Sequence, residues 1–399
     1  MPPPDRFATA EPWLHEVARA RTGLDDFGPE DYREGLSVLL RALDTDVSFT
    51  PIGREFAAGT IISTLCARLH AQQGWKRHAR CLEQSIRQPL IITGIPRTGT
   101  TALHKLLSLD PQFQGLEHWL ADTPMPRPAR ATWESNCHYQ STAAGLDAFY
   151  RAVPEMRAAH EMTAHEVDEC LEVLKQDFIT NRFASGWHVP TYDEWFRRQD
   201  ERCAYRRFAD VLRLIGQGDE RRWLLKNPGH IAQLDVLLET FPDACVVQTH
   251  RDPVKALPSL CSVLAMSRKL LEGDGVRLSS IGQRECEYWS NAVEHAARVR
   301  ERHSPRQFFD VDQRRFHSEP MRVVSELYSH FGLELDARVA VTMRAWLDEH
   351  PANRLGEHRY TAGQFALDPA GIRAAFGSYS DRHGLHSPAP ARLTAGTDI

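Results

Sequence analysis

The residues that most clearly suggest chemistry form one run, Gly94-Ile95-Pro96-Arg97-Thr98-Gly99-Thr100-Thr101. Glycine at each end of the loop would let the backbone bend sharply and approach a ligand closely. The hydroxyls of Thr98, Thr100 and Thr101 would add hydrogen-bond donors, and the guanidinium of Arg97 can donate two parallel hydrogen bonds to an oxyanion. The free N–H groups at the start of a following helix also favour negative charge. The run therefore predicts a phosphate-binding loop.

The run is close to the nucleoside-triphosphate pattern G-x-x-x-x-G-K-S/T, with one informative difference. Thr100 stands where that pattern has the lysine that reaches the β- and γ-phosphates. A triphosphate would lose that contact, whereas a nucleotide with a single 5′-phosphate group and a small substituent would not. The difference favours a nucleotide of the second kind. On this segment alone, a turn that merely joins a core strand to a core helix stays an alternative.

A second run with phosphate-binding character begins at Arg251. The apolar, β-branched segment 244–249 predicts a strand. Asp252 suits the N-cap of the next helix and Pro253 its first position, so that Arg251 would stand at the carboxyl end of the strand. Ser259 follows Arg251 by eight positions, about two helical turns, which would bring its hydroxyl beside the guanidinium. Taken alone, an arginine that caps a neighbouring helix and a surface serine explain the segment better.

Together the two runs resemble the motifs of sulfotransferases that use 3′-phosphoadenosine-5′-phosphosulfate (PAPS). In that family a P-R-S/T-G-T-T-type loop holds the 5′-phosphosulfate, and the resemblance assigns this role to Arg97, Thr98, Gly99, Thr100 and Thr101. An arginine followed eight residues later by a serine holds the 3′-phosphate, which here implies Arg251 and Ser259. The similarity is greatest to the bacterial branch with an extended helical N-terminal region, and it covers the chain from about Thr22 to Leu385.

The resemblance also implies a lysine that stabilises the leaving group. Lys226 follows the strand predicted over 222–225, where cytosolic sulfotransferases place a strand-end lysine in K-S/T-H between their two nucleotide motifs. An ammonium there can neutralise charge on the oxygen that bridges sulfur and phosphate. The sequence departs from the family pattern because Pro228 replaces the histidine two places after the lysine, and the nearest imidazole is His230. The identity of the general base is therefore open.

Three residues are candidates for that base: His160, Glu117 and His230. The bacterial branch commonly has a histidine shortly before a Glu-Cys pair, which here is His160 ahead of Glu169-Cys170. A neutral imidazole accepts a proton near pH 7 with little tuning, whereas Glu117 would need a pKa raised by burial. His230 would lie within the helix that follows the strand-end lysine. The chain has 19 histidines, so most of them must have structural or surface roles.

The remaining site segments are less specific. Segment 110–154 is rich in aromatic residues and poor in regular period, and 187–196 predicts a second aromatic loop. An acceptor-binding wall and a loop that only packs on the core explain the first segment equally well. The basic stretch 353–360 resembles the late loop with which the family closes the nucleotide site, and the resemblance adds His358 and Arg359 as contacts to the 3′-phosphate or adenine. A solvated basic turn would look the same.

The predicted elements place these residues at one edge of an α/β fold. Strands alternate with helices after residue 88, which predicts a P-loop-like, mainly parallel β-sheet flanked by helices, with a helical N-terminal cap. We expect residues 1–88 to form that cap, 89–385 the sulfotransferase α/β domain, and 386–399 a disordered tail. Within the core, the pattern predicts a continuous helix over about 168–182.

Composition narrows the classes of protein. A net charge of −5 and a pI near 6.4 argue against a nucleic-acid binder. No apolar run is long enough to cross a bilayer and the N-terminus lacks a signal peptide, so a cytoplasmic enzyme is expected. The eight cysteines show no C-x-x-C pair or metal-ligand spacing, which suits reduced core residues and predicts no metal site.

The sequence thus predicts a sulfotransferase that moves a sulfuryl group from PAPS to a hydroxyl, or less readily an amine, of a small or lipid-like acceptor. One rival is a P-loop-type nucleotide kinase, which the missing lysine disfavours. The other is a catalytically silent nucleotide-binding protein. The identity of the acceptor and the oligomeric state stay open, with a homodimer as one option.

Overall fold

A parallel sheet lies at the centre of the protein. The computed structural model describes residues 5–152, 154, 162–350 and 361–386. Within these ranges the sheet has five strands: β1 (Leu90–Gly94), β2 (Phe113–Gly115), β3 (Arg222–Lys226), β4 (Cys245–His250) and β5 (Phe308–Asp312). Their order is β2-β3-β1-β4-β5, and every neighbouring pair is parallel. Helices cover the sheet, and the predicted α/β class is confirmed.

β1 occupies the middle of the sheet because later strands are added on both sides of it. Leu90 pairs with Leu224 of β3 and with Cys245 of β4. Every residue of β1 and β4 is buried, as expected for apolar strands that have neighbours on both edges and helices on both faces. In such sheets ligands bind beyond the carboxyl ends of the strands, where the strand order reverses. The loop after β1 lies at that position.

Three helices precede the sheet: α1 (Glu11–Thr22), α2 (Tyr32–Thr45) and α3 (Pro51–Arg77). Their buried apolar side chains form one cluster with residues of segment 178–196. Arg68 of α3, only 1% exposed, donates to the Phe27 carbonyl and forms a buried ion pair with Asp177. The N-terminal helices therefore pack directly on the middle of the chain. The domain boundaries at 88/89 and 385/386 stay predictions, and residues 387–399 lie outside the described ranges.

The other α-helices of the described ranges follow in chain order: α4 (Thr100–Leu107), α5 (His118–Asp122), α6 (Cys137–Ala152), α7 (Leu171–Leu174), α8 (Asn181–Gly186), α9 (Pro190–Phe196), α10 (Arg202–Ile215), α11 (Leu234–Thr240), α12 (Pro253–Glu272), α13 (Leu278–Arg300), α14 (Gln313–Ser318), α15 (Pro320–His330), α16 (Ala337–Glu349), α17 (Pro369–Ala375) and α18 (Gly377–Arg382).

The continuous helix predicted over 168–182 is wrong. The chain forms the short helix α7 and a 3-10 turn, and Phe178 then takes the left-handed conformation with φ 55°. Thr180 begins α8 as its N-cap, where its side chain accepts a hydrogen bond from the Arg182 amide. The break buries the Phe178 ring, which stacks on Phe183 at 5.7 Å between centroids. Tertiary packing therefore overrides the helical pattern at this point.

The two aromatic segments are also more regular than predicted. Segment 187–196 is mostly the helix α9, which Pro190 begins at its first position and which buries Tyr192 and Phe196. Segment 110–154 contains β2, α5 and the longer helix α6. Aromatic side chains that stack within and between short helices hide the periodicity that a longer amphipathic helix would display.

Candidate active site

The loop after β1 has the backbone of an anion-binding cradle. Gly94 has φ 143°, and a Cβ atom there would lie 2.5 Å from the Thr249 carbonyl oxygen, so only glycine fits. Arg97 also has positive φ, 71°, which is a strained conformation for a non-glycine residue. Gly99, with φ 94°, is the N-cap of α4 and offers no side-chain acceptor to the first helical amides. Those amides and the helix dipole point out of the helix end and favour an anion.

The threonines of the loop do different work. Thr98 is 1% exposed, and its hydroxyl donates to the Ile95 carbonyl at 2.6 Å and lies 2.5 Å from the Thr249 hydroxyl. It fastens the loop to β4. Thr100 and Thr101 instead line a cavity beyond the loop. The sequence predicted all three hydroxyls as ligand contacts, but the side chain of Thr98 is occupied inside the protein.

The two predicted phosphate motifs meet at Arg97. The Nε atom of Arg97 donates to the Ser259 hydroxyl at 3.2 Å, and the guanidinium of Arg251 donates to the Arg97 carbonyl at 2.9 Å. The predicted helix start is confirmed, since the Asp252 side chain caps α12 by accepting from the Val254 amide at 2.9 Å. Ser259 was expected beside Arg251; its described contact is with the other arginine. The two motifs therefore form one continuous polar surface.

Lys226 lies at the end of β3 and beside the cradle. It is 2% exposed, and its Nζ atom is 2.5 Å from a carboxylate oxygen of Glu169 and 3.4 Å from the Thr101 hydroxyl. The register of the sheet pairs Lys226 with Ile92 of β1, which explains why its side chain reaches the neighbouring loop. Glu169 lines the same cavity as Thr101. An ammonium and a carboxylate thus lie together next to the predicted phosphate-binding loop.

The position of Glu169 is fixed from both sides along the chain. The Cys170 amide donates to the Lys226 carbonyl at 2.9 Å, and the Glu169 amide donates to the Asp168 carboxylate at 2.7 Å. Asp168 in turn forms a buried ion pair with His118. An antiparallel bridge between Glu117 and Val167 brings this segment back to the start of α5. These contacts hold Glu169 against β3.

The Asp168–His118 pair is strongly perturbed electrostatically. Burial lowers the pKa of His118, but the carboxylates of Asp168 and Asp122 outweigh it and raise that pKa to about 9. Burial opposes ionisation of Asp168, yet His118 and Lys226 lower its pKa well below the usual range for aspartate. At neutral pH the imidazolium therefore anchors the carboxylate that holds the Glu169 amide.

The cavity beyond the loop has a volume of about 220 Å³ and joins the cradle to an apolar wall. Helices α7, α12 and α13 supply the wall, formed by Leu171, Leu174, Leu260, Val263, Leu264, Tyr288 and Trp289. Polar side chains also face the space, namely Glu169, Thr180, Asn181, Arg182, Ser185, Glu201, Tyr205, Asn227 and Glu285. A polar end beside the loop and an apolar side suit a nucleotide next to a partly apolar second ligand.

Two predicted bases do not line this cavity. Glu117 is 9% exposed and pairs with Arg127 at 3.1 Å, at the border of a different cavity near Lys105 and Phe113. His230 is fully buried and hydrogen-bonded through Nδ1 to the Tyr205 hydroxyl at 2.8 Å. Burial lowers the pKa of His230 to about 3. Neither position supports proton transfer at the cavity.

Three further predicted site residues, His160, His358 and Arg359, lie outside the described residues. The carboxylate that does line the cavity, Glu169, was not selected from the sequence as a base. Its only sequence signal was the Glu-Cys pair, and the chain reversal that brings it to Lys226 leaves no local pattern.

A separate cluster of potential metal ligands lies at the end of β4. One ligand atom from each of His250, Asp310 and His383 lies within 4.8 Å of the others. These groups already have protein partners: His250 contacts Tyr379 and Asp310, and Arg300 donates to both carboxylate oxygens of Asp310. The guanidinium makes the cluster a poor cation site.

A sequence model of a known protein family matches this chain. The model described as "Sulfotransferase family" matches residues 89–337, which is more than half of the chain. The chain belongs to the sulfotransferase family. It is therefore an enzyme, a transferase, and the predicted family and class of activity are confirmed.

Mycobacterial relatives extend the similarity of this sulfotransferase beyond the matched core. The crystal structure of sulfotransferase STF1 from Mycobacterium tuberculosis H37Rv is 36% identical, covers 94% of this chain and 100% of its own, and has a TM-score of 0.85. STF9 from Mycobacterium avium is 27% identical, with 93% and 96% covered and a TM-score of 0.85. The omega-hydroxy-beta-dihydromenaquinone-9 sulfotransferase Stf3 of Mycobacterium tuberculosis (strain CDC 1551 / Oshkosh) is 26% identical over 76% of this chain and 78% of its own.

Among the helices of the described ranges, none combines the length and the apolar character that crossing a membrane would require.

Proposed function

We propose that this sulfotransferase transfers the sulfuryl group of PAPS to a hydroxyl of a small or lipid-like acceptor. The observation that carries the proposal is the position of Lys226, whose ammonium lies between the Thr101 hydroxyl of the cradle and the Glu169 carboxylate at the cavity. Cation, phosphate-binding loop and carboxylate are the groups that transfer of an anionic group to a hydroxyl requires.

The residues of the cradle fit the donor. The open amides at the start of α4, together with Thr100 and Thr101, would hold the 5′-phosphosulfate. Arg251 and Ser259 would hold the 3′-phosphate, and their contacts with Arg97 would keep it next to the loop that holds the 5′-phosphosulfate. When bound, PAPS supplies a sulfuryl group on a phosphate that leaves readily. A donor of this size needs no lysine at position 100, which is consistent with the threonine there.

Glu169 would accept the proton of the acceptor, and Lys226 would stabilise the negative charge that develops during transfer. Lys226 presents an ammonium where negative charge develops, and it needs little reorganisation because it is already held by two partners. Glu169 faces the cavity and can accept the proton of a hydroxyl placed there. We therefore propose Glu169 as general base in place of Glu117 and His230. His160 stays an alternative.

The walls of the cavity support an acceptor with an apolar portion. Leucine and aromatic side chains of α7, α12 and α13 face the space on the side away from the loop. The relative Stf3 is named as an omega-hydroxy-beta-dihydromenaquinone-9 sulfotransferase. That name supports a lipid-like alcohol as the class of acceptor.

The described cysteines are all free, which supports the proposed cytoplasmic location.

A binding comparison tests the donor before any acceptor is known. We expect adenosine 3′,5′-bisphosphate to raise the unfolding temperature of the protein, because a ligand that binds only the folded state stabilises it by mass action. ATP with Mg²⁺ should have a much smaller effect. The reverse result would support a nucleotide kinase, and the absence of both effects would contradict the proposal.

Transfer itself can then be measured with labelled PAPS and extracts of host cells as the source of acceptor. Incorporation of label into an apolar, acid-labile product would support a sulfated lipid-like alcohol. If the bisphosphate stabilises the protein but no extract accepts label, the protein would be a silent nucleotide-binding member of the family.

A further inference from the structure

One carboxyl group in the cavity has no part in the proposed chemistry. Glu201 is 6% exposed and lines the cavity, on the chain just before α10. It occupies the N-cap position of that helix, yet its side chain makes no capping hydrogen bond. Only its carbonyl joins the helix, by accepting from the Tyr205 amide at 3.0 Å. The helix therefore does not explain why a carboxyl group is buried here.

Glu201 forms no ion pair among the residues described. Burial raises the pKa of Glu201 to about 8, a hydrogen bond from Gln233 opposes this, and the carboxylate of Asp200 adds to it. The other two carboxylates of the cavity differ, because Glu169 pairs with Lys226 and Glu285 accepts from Arg284 and Trp289. Burying a polar group without full compensation costs free energy, so a ligand contact is a reason for its presence.

From this geometry we propose that Glu201 binds a second, uncharged oxygen-bearing group of the acceptor, such as a hydroxyl or ether, remote from the hydroxyl that is sulfated. The inference rests on the proposed function and specifies its acceptor class. The acceptor would thus be an apolar chain with oxygen at two separated positions. Leu174, Leu260 and Leu264 line the same cavity and can contact the chain between those positions.

An uncharged group fits better than an ammonium for two reasons. A protonated carboxyl group both donates and accepts a hydrogen bond, so it can satisfy an alcohol oxygen without holding a charge in an apolar space. The cavity is also lined by Arg97, whose positive charge favours the anionic donor and opposes a cationic acceptor, whereas Arg182 pairs with Glu172 at 3.6 Å.

Matched alcohols test this inference with the full-length protein and adenosine 3′,5′-bisphosphate present. Hexane-, octane- and decane-α,ω-diols are compared with hexanol, octanol and decanol by quenching of tryptophan fluorescence, and with PAPS by the rate of transfer. We expect at least one diol to bind about fivefold more tightly than the alkanol of equal length, the factor that one net hydrogen bond supplies. Because a diol has two equivalent hydroxyls, its gain in affinity over the alkanol must exceed the purely statistical factor that this equivalence supplies.

Substitutions then test whether the tighter binding of the diols depends on Glu201. Glu201→Gln, which keeps the size and an uncharged hydrogen-bonding end, should preserve the ratio of diol to alkanol affinity. Glu201→Leu should reduce the ratio to the statistical value, and Glu201→Ala serves the same purpose if the leucine variant does not fold. Glu220→Gln, at an exposed carboxylate beyond the end of α10 and away from the cavity, is the control and should leave the ratio unchanged.

The outcomes separate the inference from the function on which it rests. If the bisphosphate stabilises the protein but diols and alkanols bind or react alike, the inference is overturned and the donor assignment stands. A preference for amino-alkanols that Glu201→Gln abolishes would also overturn it, since the site would then bind a cation. If the bisphosphate itself has no effect, the proposed function fails first.

Discussion

The two ends of the cavity are built in different ways. The donor end, named for the proposed binding of PAPS there, consists of consecutive residues of the loop 94–101, together with single residues at the ends of β3 and β4. The acceptor end, named for the proposed acceptor, is assembled from α7, α8, α10, α12 and α13, whose contributing residues are spread from Leu171 to Trp289. One end depends on backbone geometry and the other on side-chain packing.

This difference has a consequence for what each end can tolerate. Backbone amides, a strained arginine and Gly94, where an added Cβ atom would lie 2.5 Å from the Thr249 carbonyl oxygen, leave little freedom at the donor end. Leucine and aromatic side chains at the acceptor end can be exchanged for others of similar volume at modest cost. We therefore expect substitutions at the donor end to alter donor binding and catalysis, and those at the acceptor end to alter the choice of acceptor.

The largest expected effect is that of Glu169, where the two ends meet. Glu169→Gln should lower kcat by about 10²–10⁴, because a general base is lost, while the affinity for adenosine 3′,5′-bisphosphate stays near that of the parent. Steady-state rates across pH measure the effect. Glu166→Gln is the matched control, since Glu166 lies on the same segment and pairs with Lys105. Unchanged turnover in Glu169→Gln would return the role of base to His160.

Substitution of Lys226 should have the next largest effect on turnover. Lys226→Met should lower kcat by about 10²–10³ at every pH, because one preorganised donor to developing charge is lost. Lys255→Met, at an exposed lysine at the start of α12, controls for the change of net charge. A loss confined to one limb of the pH profile would instead identify Lys226 as a group that titrates during turnover.

Arg251 provides a test within the donor end. Arg251→Ala should weaken binding of adenosine 3′,5′-bisphosphate by about 10- to 100-fold, because a charged hydrogen bond contributes roughly 1.5–3 kcal/mol. Adenosine 5′-phosphosulfate, which lacks the 3′-phosphate, should lose little affinity. Calorimetric titration of both nucleotides measures the contrast.

The double variant with Arg97→Ala sharpens this test. Because Arg251 donates to the Arg97 carbonyl and Arg97 to Ser259, the two losses should not be additive. Equal losses of affinity for both nucleotides in Arg251→Ala would mean that this arginine only shapes the loop.

The His118–Asp168 pair should make stability depend on pH. The pKa of His118 is raised to about 9 in the folded protein, so its stabilisation is fully present below its unfolded value of about 6.5 and is lost as pH rises through 9. The loss should be at most about 3 kcal/mol in the free energy of unfolding. Urea unfolding of parent and His118→Asn between pH 6 and 10 measures it. A difference between the two proteins that is constant with pH would contradict this assignment.

The smallest effect is expected at Thr98. Thr98→Val should lower the free energy of unfolding by about 1–2 kcal/mol, since it leaves the buried Ile95 carbonyl and Thr249 hydroxyl without this partner. Donor affinity should change less than in Thr101→Ala, whose hydroxyl lies at the cavity. Comparing the two variants by denaturation and by nucleotide titration tests whether the hydroxyl of Thr98 is a ligand contact or only a fastening of the loop.

Much of the donor end could be predicted from the sequence because its signals are local. The apolar strand, the glycines and the Asp252-Pro253 start of α12 each lie within a few residues, and the structure bears them out. Segment 168–186 was predicted less well. Its helical pattern is broken at Phe178, where the ring gains more by packing on Phe183 than the backbone loses.

The sequence by itself determined the family, the parallel α/β architecture and the strand, glycines and helix start of the loop 94–101, because these depend on short-range backbone preferences and on motif order. Only the tertiary structure decided which carboxylate faces Lys226, that Arg97 joins the two motifs, and that Glu201 is buried at the cavity with no ion pair among the residues described. Those facts depend on contacts between residues far apart in the chain, such as the 57 positions that separate Glu169 from Lys226. Local sequence patterns do not predict such contacts, because the contacts form only when the sheet and its covering helices close around the cavity.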